Sequence, residues 1–369
     1  MTTEETSKKR TILLTGATGL LGSYLLKILL EKGHKVYALS RCRKNKTAHE
    51  RVNDLLDFWD GDANLIHRKN LIVIDGDITL HNFGVSQKDI LHLVKSETEV
   101  IFHCAALTAF KAQSQLLREI NVLGTKNVLD FALSCKMLGK INHISTAFVV
   151  GDKNGINFTE EMRGLGQGFY NDYERTKYEA EIIVENYKQR NDLQVSIFRP
   201  GLIIGESTDG KTNNFNFFYE PHRFFSQGLY EDFPMNLECS LNLINIDTAA
   251  KAIFLLGNRD ESKTYHIVSP EDTSNHFFAK LSSNFFGFKI PKFSPVEKFD
   301  FSKWTSTQKL LAEQFIPYCN YKNKFISSYT QSILNEYKFE YPKIDKANLI
   351  RTFEYCDEIG FIKKKPYTI

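Results

Sequence analysis

Residues 11–22 read TILLTGATGLLG, a short apolar run ending in a glycine-rich turn that leads into a helical pattern. Gly16, Gly19 and Gly22 stand at the three places where such a unit needs no side chain: the sharp turn out of a strand, the approach of backbone to a pyrophosphate, and the packing of helix on strand. The next segment, GLLGSYLLKILLEKG, puts Leu21, Leu25, Ile28 and Leu29 on one helical face and stops at Gly33. A helix N-terminus there offers free N–H groups and a positive dipole end to phosphate. The stretch reads as the strand, phosphate loop and helix of a dinucleotide-binding unit, with Thr15, Gly16, Thr18, Gly19, Leu20, Leu21 and Gly22 as expected cofactor contacts.

Outward from this unit the chain alternates short apolar runs with amphipathic segments, the pattern of a parallel sheet covered by helices on both faces. Expected strands are Thr11–Thr15, Lys35–Ser40, Leu71–Asp75, Val100–Cys104, Ile141–Ser145 and Val195–Arg199, each apolar on both faces. NLINI (Asn242–Ile246) reads as a strand followed by a helix from Asp247, and TYHIV (Thr264–Val268) as a further sheet strand. The predicted architecture is α/β, a Rossmann-type doubly wound parallel sheet over residues 10–270, with a substrate-side insertion at 205–235 and a polar tail at 1–9. From Glu271 to the end the character changes, with 13 of the 29 Phe, 7 of the 16 Tyr, and 15 Lys and Arg against 11 Asp and Glu. Residues 271–369 are expected to form a smaller, mainly helical C-terminal cap on the substrate side.

The 47 Lys and Arg against 44 Asp and Glu leave a net charge of +3, too even for a protein whose affinity rests on neutralising phosphates of nucleic acid. The six cysteines are scattered, with no CxxC pair and no histidine at a zinc-ligand interval, so no metal site is expected. The opening MTTEETSKKR is unlike a secretory signal, and no apolar run of 18 residues occurs. A soluble, cytoplasmic protein is expected.

Two constellations carry chemistry. The second expected strand ends in VYALSRCRK with no carboxylate to accept a ribose 2′-hydroxyl; Arg41 and Arg43 stand there, suited to a 2′-phosphate, and point to NADP(H). Further on, NDYERTKYEAE places Tyr173 and Lys177 four apart on one helical face, where an ammonium is expected to lower the phenol pKa for proton exchange. Ser145 and Thr146 end a strand, facing the ligand crevice; Thr146 is the expected reactive hydroxyl and Ser145 a structural one.

Together these motifs resemble an extended short-chain dehydrogenase/reductase over residues 10–270: TGATGLLG, GDI (Gly76–Ile78), HCAA (His103–Ala106), NVLGTKN (Asn121–Asn127), then Thr146, Tyr173, Lys177 and RPG (Arg199–Gly201) in order. The resemblance implies that Asp77 and Ile78 border the adenine, Ala105 and Ala106 the cofactor ribose and phosphates, and Pro200 the nicotinamide. SRCRKNKTAHERVNDLLDFW, NFGVSQKDI, STAFVVG, RPGLIIGES and EIGFI are similar to the thioester-reductase and fatty acyl-CoA reductase branch. That branch implies hydride transfer from NADPH to an acyl thioester, with Tyr173 and Thr146 stabilising the oxyanion, Tyr173 donating the proton and Lys177 holding the ribose. The thioester is a small-molecule substrate or sits on an acyl carrier protein.

Two other readings stay open: an extended short-chain dehydrogenase acting on a nucleotide sugar or small ketone, and a catalytically silent NADP-binding protein. Intact Thr146, Tyr173 and Lys177 speak against the second. His103 and His143 read as core or crevice-wall residues. The FNFFY segment (Phe215–Tyr219) with Phe224 and Phe225 reads as core or acyl-channel lining, and Lys363, Lys364 and Lys365 as a solvated tail or carrier-docking charge.

Overall fold

The segments apolar on both faces become seven parallel strands: β1 (Thr11–Thr15), β2 (Lys35–Ser40), β3 (Leu71–Asp75), β4 (Val100–His103), β5 (Lys140–Ile144), β6 (Val195–Pro200) and β7 (Thr264–Ile267). This computed structural model describes residues 8–60, 68–215 and 217–365, so Met1–Ser7 of the expected tail lie outside the described residues. Spatial order is β7-β6-β5-β4-β1-β2-β3. Strand ends differ from expectation by one residue at Cys104 and Ser145, which have left the ladder but still donate backbone hydrogen bonds to Thr15 and Phe198 at 3.2 and 2.7 Å.

Alternation along each strand feeds two cores. Ile12 and Leu14 pack with Leu25 and Leu29 of the Leu20–Glu31 helix, Val52 and Leu56 of Ala48–Asp60, and Ile253 of Ile246–Gly257. Leu13 points the other way, toward Ile101, Ile141, and residues of the Lys88–Glu97, Gly124–Ala132 and Asp172–Asn191 helices. Each fully buried Leu or Ile in these layers contributes roughly 1.5–3 kcal/mol. The connections from β1 and β4 run to opposite faces, and the crevice between their carboxyl ends is where open α/β sheets bind ligands.

The expected boundary at residue 270 is crossed by packing in both directions. NLINI forms only the strand Leu243–Asn245, paired in parallel with Leu202–Ile204 outside the main sheet, and the following helix starts at Ile246. Strand Asp232–Pro234 pairs with Lys292–Ser294. Phe218, Tyr219, Phe224 and Phe225 share one core with Phe278, Phe286, Trp304, Phe315 and Phe353, so the cap is woven from both sides of that boundary. In the other direction, the helix Ser328–Glu336 leaves the cap: Ile333, Leu334 and Phe339 join the core around β1. An apolar stripe shows in sequence that a helix is covered, but not by which core. Lys363 and the Lys365 backbone are pinned as well, Lys363 Nζ donating to the Asp357 carbonyl at 2.9 Å and Lys365 N to that of Phe286 at 2.8 Å. No described helix is long and apolar enough to cross a membrane.

One buried ion pair joins the Asp172–Asn191 helix to the sheet. Arg199 of β6 donates from Nε and Nη2 to the two Glu181 carboxylate oxygens at 3.0 and 2.7 Å, and both residues are almost wholly buried. Removing one partner of such a pair strands the other charge. Glu181→Ala is therefore expected to lower unfolding free energy by about 3–5 kcal/mol in urea denaturation, with Glu181→Leu/Arg199→Met recovering most of the loss. A single-variant loss below about 1 kcal/mol would contradict this.

Candidate active site

The loop after β1 is shaped by two contacts that exclude a side chain. Gly16 has φ +73°, and a Cβ on it would sit 2.5 Å from the Ala105 nitrogen; one on Gly22 would sit 2.2 Å from the Gly16 carbonyl oxygen. Gly19 differs. It is exposed, and a Cβ there would meet only the Gly16 oxygen at 3.4 Å, ordinary contact distance. Protein packing therefore leaves room in front of Gly19, at the N-cap of a helix with no side-chain cap and no acidic residue in its first turn. Unscreened N–H groups facing open space fit a pyrophosphate. The side chains of two expected contacts turn inward: that of Leu21 is in the core, and that of Thr15 is fully buried beneath the loop. The Thr15 hydroxyl shares a 2.8 Å hydrogen bond with His103 Nδ1 and accepts one from Ala105 N at 3.3 Å, so it braces the β4 turn instead of facing the crevice.

Beyond the end of β2, Arg41 pairs with Asp77 at 3.0 Å. Asp77 also accepts from the Thr79 backbone and hydroxyl, both at 2.9 Å, and these bonds hold its carboxyl below the usual carboxylate range despite burial. A third guanidinium joins them. Arg51, in the Ala48–Asp60 helix, donates to Thr18 Oγ1 at 3.1 Å and to the Arg41 carbonyl. Burial, then the charges of Arg43 and Arg41, depress its pKa. Three guanidinium groups thus gather beside the Gly16–Gly22 loop, and Arg51 was missed in the sequence because a lone Arg in an amphipathic helix reads as solvated surface. Ile78 is buried, its carbonyl accepting from Asn127 Nδ2 at 2.8 Å. Asn121 clamps the Leu107 backbone, accepting from its N–H at 2.7 Å and donating to its carbonyl at 3.0 Å, just past Ala105 and Ala106.

Thr146, Tyr173 and Lys177 come together at the carboxyl end of β5. Thr146 caps the short Ala147–Val150 turn, its Oγ1 accepting from Phe148 N at 3.3 Å. Burial raises the Tyr173 phenol to about 12, against the pull of a side-chain hydrogen bond with Thr146. Lys177 does not contribute to that shift. Its Nζ reaches down to donate to the Ile144 carbonyl at 2.7 Å, and burial brings its own pKa to about 8. The expected lowering of the phenol by the ammonium is not seen: burial sets the phenol high, and the amine donates to the strand end. The buried Ser145 hydroxyl, expected to be structural, has no hydrogen-bond partner among the described residues; neither has either nitrogen of buried His143. Pro200 ends β6 alongside. Among the described residues, no group of three His, Cys, Asp or Glu is placed to hold a metal.

An aromatic wall stands beside the Tyr173 phenol. Phe110 stacks on Tyr173 with ring centroids 5.6 Å apart, and on its other sides meets Phe217 at 5.6 Å and Tyr318 at 6.2 Å. Of the FNFFY segment, Phe217 belongs to this wall, whereas Phe218 and Tyr219 are cap core.

Against known proteins, a family of NAD-binding domains described as Male sterility protein matches residues 14–253. The chain belongs to that family. Fatty acyl-CoA reductase 1 of Rattus norvegicus is 30% identical over 241 residues, covering 56% of this chain and 46% of the relative. The L-2-aminoadipate reductase large subunit of Penicillium chrysogenum is 25% identical over 305 residues, covering 76% of this chain and 21% of the relative. The chain thus spans less than half the length of these two curated relatives. In fold it is similar to the terminal R domain of the myxalamid PKS-NRPS biosynthetic pathway, with TM-score 0.82, 23% identity, and 97% and 93% of the two chains covered. MoeE5, solved with UDP-glucose and NAD, shares the fold at TM-score 0.66 and 17% identity, with 95% and 99% covered.

The glycines separate binding from folding. Gly22→Ala is expected to lower stability by roughly 1–3 kcal/mol through overpacking. Gly19→Ala is expected to cost no more than about 1 kcal/mol as a cap change while weakening dinucleotide binding roughly tenfold, because its methyl intrudes where backbone must approach pyrophosphate. Urea unfolding and NADPH titration check the pair, and unchanged affinity in Gly19→Ala would detach this loop from the cofactor.

Proposed function

We propose that the chain is an NADPH-dependent reductase of acyl thioesters, carried by coenzyme A or an acyl carrier protein. The observation that carries this reading is the seating of Thr146, Tyr173 and Lys177 against a wall of Phe110, Phe217 and Tyr318 in the crevice beyond β1 and β4. Those phenyl faces suit an apolar acyl group. They offer little to the ring hydroxyls of a nucleotide sugar, which need polar partners once desolvated. The fatty acyl-CoA reductases and reductase domains similar to this chain support the same choice.

Gly16, Gly19 and the uncapped helix N-terminus hold the pyrophosphate, and Arg41, Arg43 and Arg51 the 2′-phosphate. A bound reduced nicotinamide, bordered by Pro200, would supply the hydride. Tyr173 and Thr146 orient the substrate carbonyl oxygen and stabilise the charge that develops on it. With its pKa at about 12, Tyr173 is protonated at neutral pH and gives its proton to that oxygen. Lys177, mostly charged at pH 7 with a pKa near 8, adds positive potential beneath the site and holds the ribose. The hemithioacetal so formed loses thiol to leave an aldehyde; a second hydride and proton would give the alcohol.

NADPH is expected to bind at least about tenfold more tightly than NADH, and Arg41→Ala or Arg51→Ala to remove most of that preference, since a charge-assisted contact to phosphate contributes roughly 1.5–3 kcal/mol. Fluorescence titration with both cofactors measures it, and equal affinities would sink the NADP assignment. For the chemistry, NADPH oxidation and free thiol are followed together with acyl-CoAs, acyl-pantetheines, nucleotide sugars and ketones. Thiol release with NADPH consumption is expected only for the thioesters. Tyr173→Phe is expected to lose roughly 10²–10⁴-fold in turnover while binding NADPH normally.

A further inference from the structure

Among the described residues after 270, Tyr318 is the one whose hydroxyl reaches the first turn of the helix carrying Tyr173. Asn171 caps that helix, its Oδ1 accepting from Glu174 N at 3.0 Å. Glu174 Oε2 in turn accepts from Tyr170 N at 3.1 Å. Tyr318 closes the arrangement: its hydroxyl donates to Glu174 Oε1 and accepts from Asn171 Nδ2 at 2.8 Å. Tyr173 lies in the chain between the two residues so held. A second connection runs through rings, since Phe110 stacks both on Tyr173 at 29° between ring planes and on Tyr318 at 22°. Tyr318 itself is wedged against Phe148, Phe217 and Tyr170, with centroids 5.8, 4.9 and 5.5 Å away, and is buried.

A carboxylate with 1% of its surface exposed is costly to retain at a helix start that Asn171 already caps. Stability of the helix alone does not call for it, because a Gln at this position would also accept from the Tyr170 N–H. What the carboxylate adds is a strong acceptor for one particular hydroxyl of the cap.

We propose that Tyr318 and Glu174 are positioning residues that fix the Tyr173 phenol against the acyl group, so that the cap sets the geometry of proton donation as well as covering the substrate. This rests on the reading of Tyr173 as the proton donor. The two connections divide the work: the Glu174–Asn171–Tyr318 hydrogen bonds set where the helix begins, and Phe110 sets the plane of the phenol ring. Substrate enters beside a side chain already clamped at both ends. The groups facing Glu174 are Tyr318 from the cap, Tyr170 and Tyr173 from its own segment, and Asp152 and Tyr321 nearby. Burial raises its carboxyl to about 7, with the Tyr318 hydroxyl holding it down and Asp152 adding to the rise. The carboxylate form, which draws in the Tyr318 hydroxyl most strongly, therefore fills as pH rises through neutrality, and kcat rises with it.

The test uses the full chain with NADPH and the acyl thioester that the wild type reduces fastest. Tyr318→Phe keeps the ring and removes only the hydroxyl. It is expected to lower kcat roughly tenfold, as small misplacements of a catalytic group do, with NADPH affinity within about twofold of wild type. The acid limb of its kcat–pH profile should move to higher pH, because the hydrogen bond that favours the charged carboxyl is gone. Glu174→Gln, which cannot titrate, should lose that limb. A kcat within twofold of wild type for Tyr318→Phe overturns the proposal. So does an acid limb that stays in place in both variants, or a fall in kcat matched by equal losses of NADPH affinity and thermal stability, which is what a merely structural contact would give. Tyr173→Phe is run in parallel. If it stays active, the reading of the site has failed; if it is inactive while Tyr318→Phe is normal, only the positioning role has.

Discussion

Everything in the crevice depends on how closely two backbones approach. Where β1 and β4 end side by side, the Gly16 backbone lies against that of Ala105, nearer than any side chain at Gly16 would allow. Thr15 locks the same junction from below, tied to His103 and to the Ala105 N–H. His103 is held in turn by Thr125, and burial keeps its ring neutral, with a pKa near 3. The two loops thus emerge at a fixed separation, one offering helix N–H groups and the other leading through Ala106 to Phe110. A looser junction would leave the two loops with no defined spacing, and the hydride transfer proposed for this crevice tolerates little error in distance.

The helix Asp172–Asn191 is the second rigid part, anchored along its length to different elements. Its start is bound to the cap through Glu174 and Tyr318, its first full turn to the β4 side through the 3.0 Å bond between Asn121 and Thr176, and its middle to β6 through Glu181 and Arg199. Lys177 adds the bond to the end of β5. Tyr173 and Lys177 therefore move as one piece with the sheet. The cost of burying Arg199 and Glu181 is partly met by further contacts of the guanidinium, over the Phe158 ring at 5.0 Å and toward the Met162 carbonyl at 3.3 Å.

Much of this was legible in the sequence, for identifiable reasons. Strands buried on both faces announce themselves as unbroken apolar runs, so β1 through β7 emerge within a residue or two of their expected ends. The loop glycines and the Tyr173–Lys177 spacing are local patterns, visible because each sits on one element. Contacts between elements left no such trace. Arg51 reaches Thr18 only through tertiary packing; Thr15, expected at the cofactor, has its hydroxyl tied to His103; Ser145, expected as a structural hydroxyl, has no partner among the described residues. Tyr318, 147 residues from its partner Asn171, is one of the many aromatics after residue 270, and nothing local separates it from those that only fill the cap.

The electrostatics of the reactive pair bear on direction. Burial drives both groups toward their neutral forms, the phenol upward and the ammonium downward, because an apolar surrounding penalises either charge. With the phenol raised to about 12, Tyr173 is protonated at neutral pH. An enzyme that took a proton from an alcohol would have to start from the phenolate, whereas one that gives a proton to a developing alkoxide starts from the protonated form. The Thr146 hydroxyl, the one group that opposes burial at the phenol, favours the phenolate and so helps Tyr173 part with its proton. A site that is apolar around this phenol, aromatic along its wall and cationic at the Arg41–Arg51 end keeps Tyr173 in its proton-bearing form by the same burial that keeps it rigid, which is what the proposed reduction asks of it.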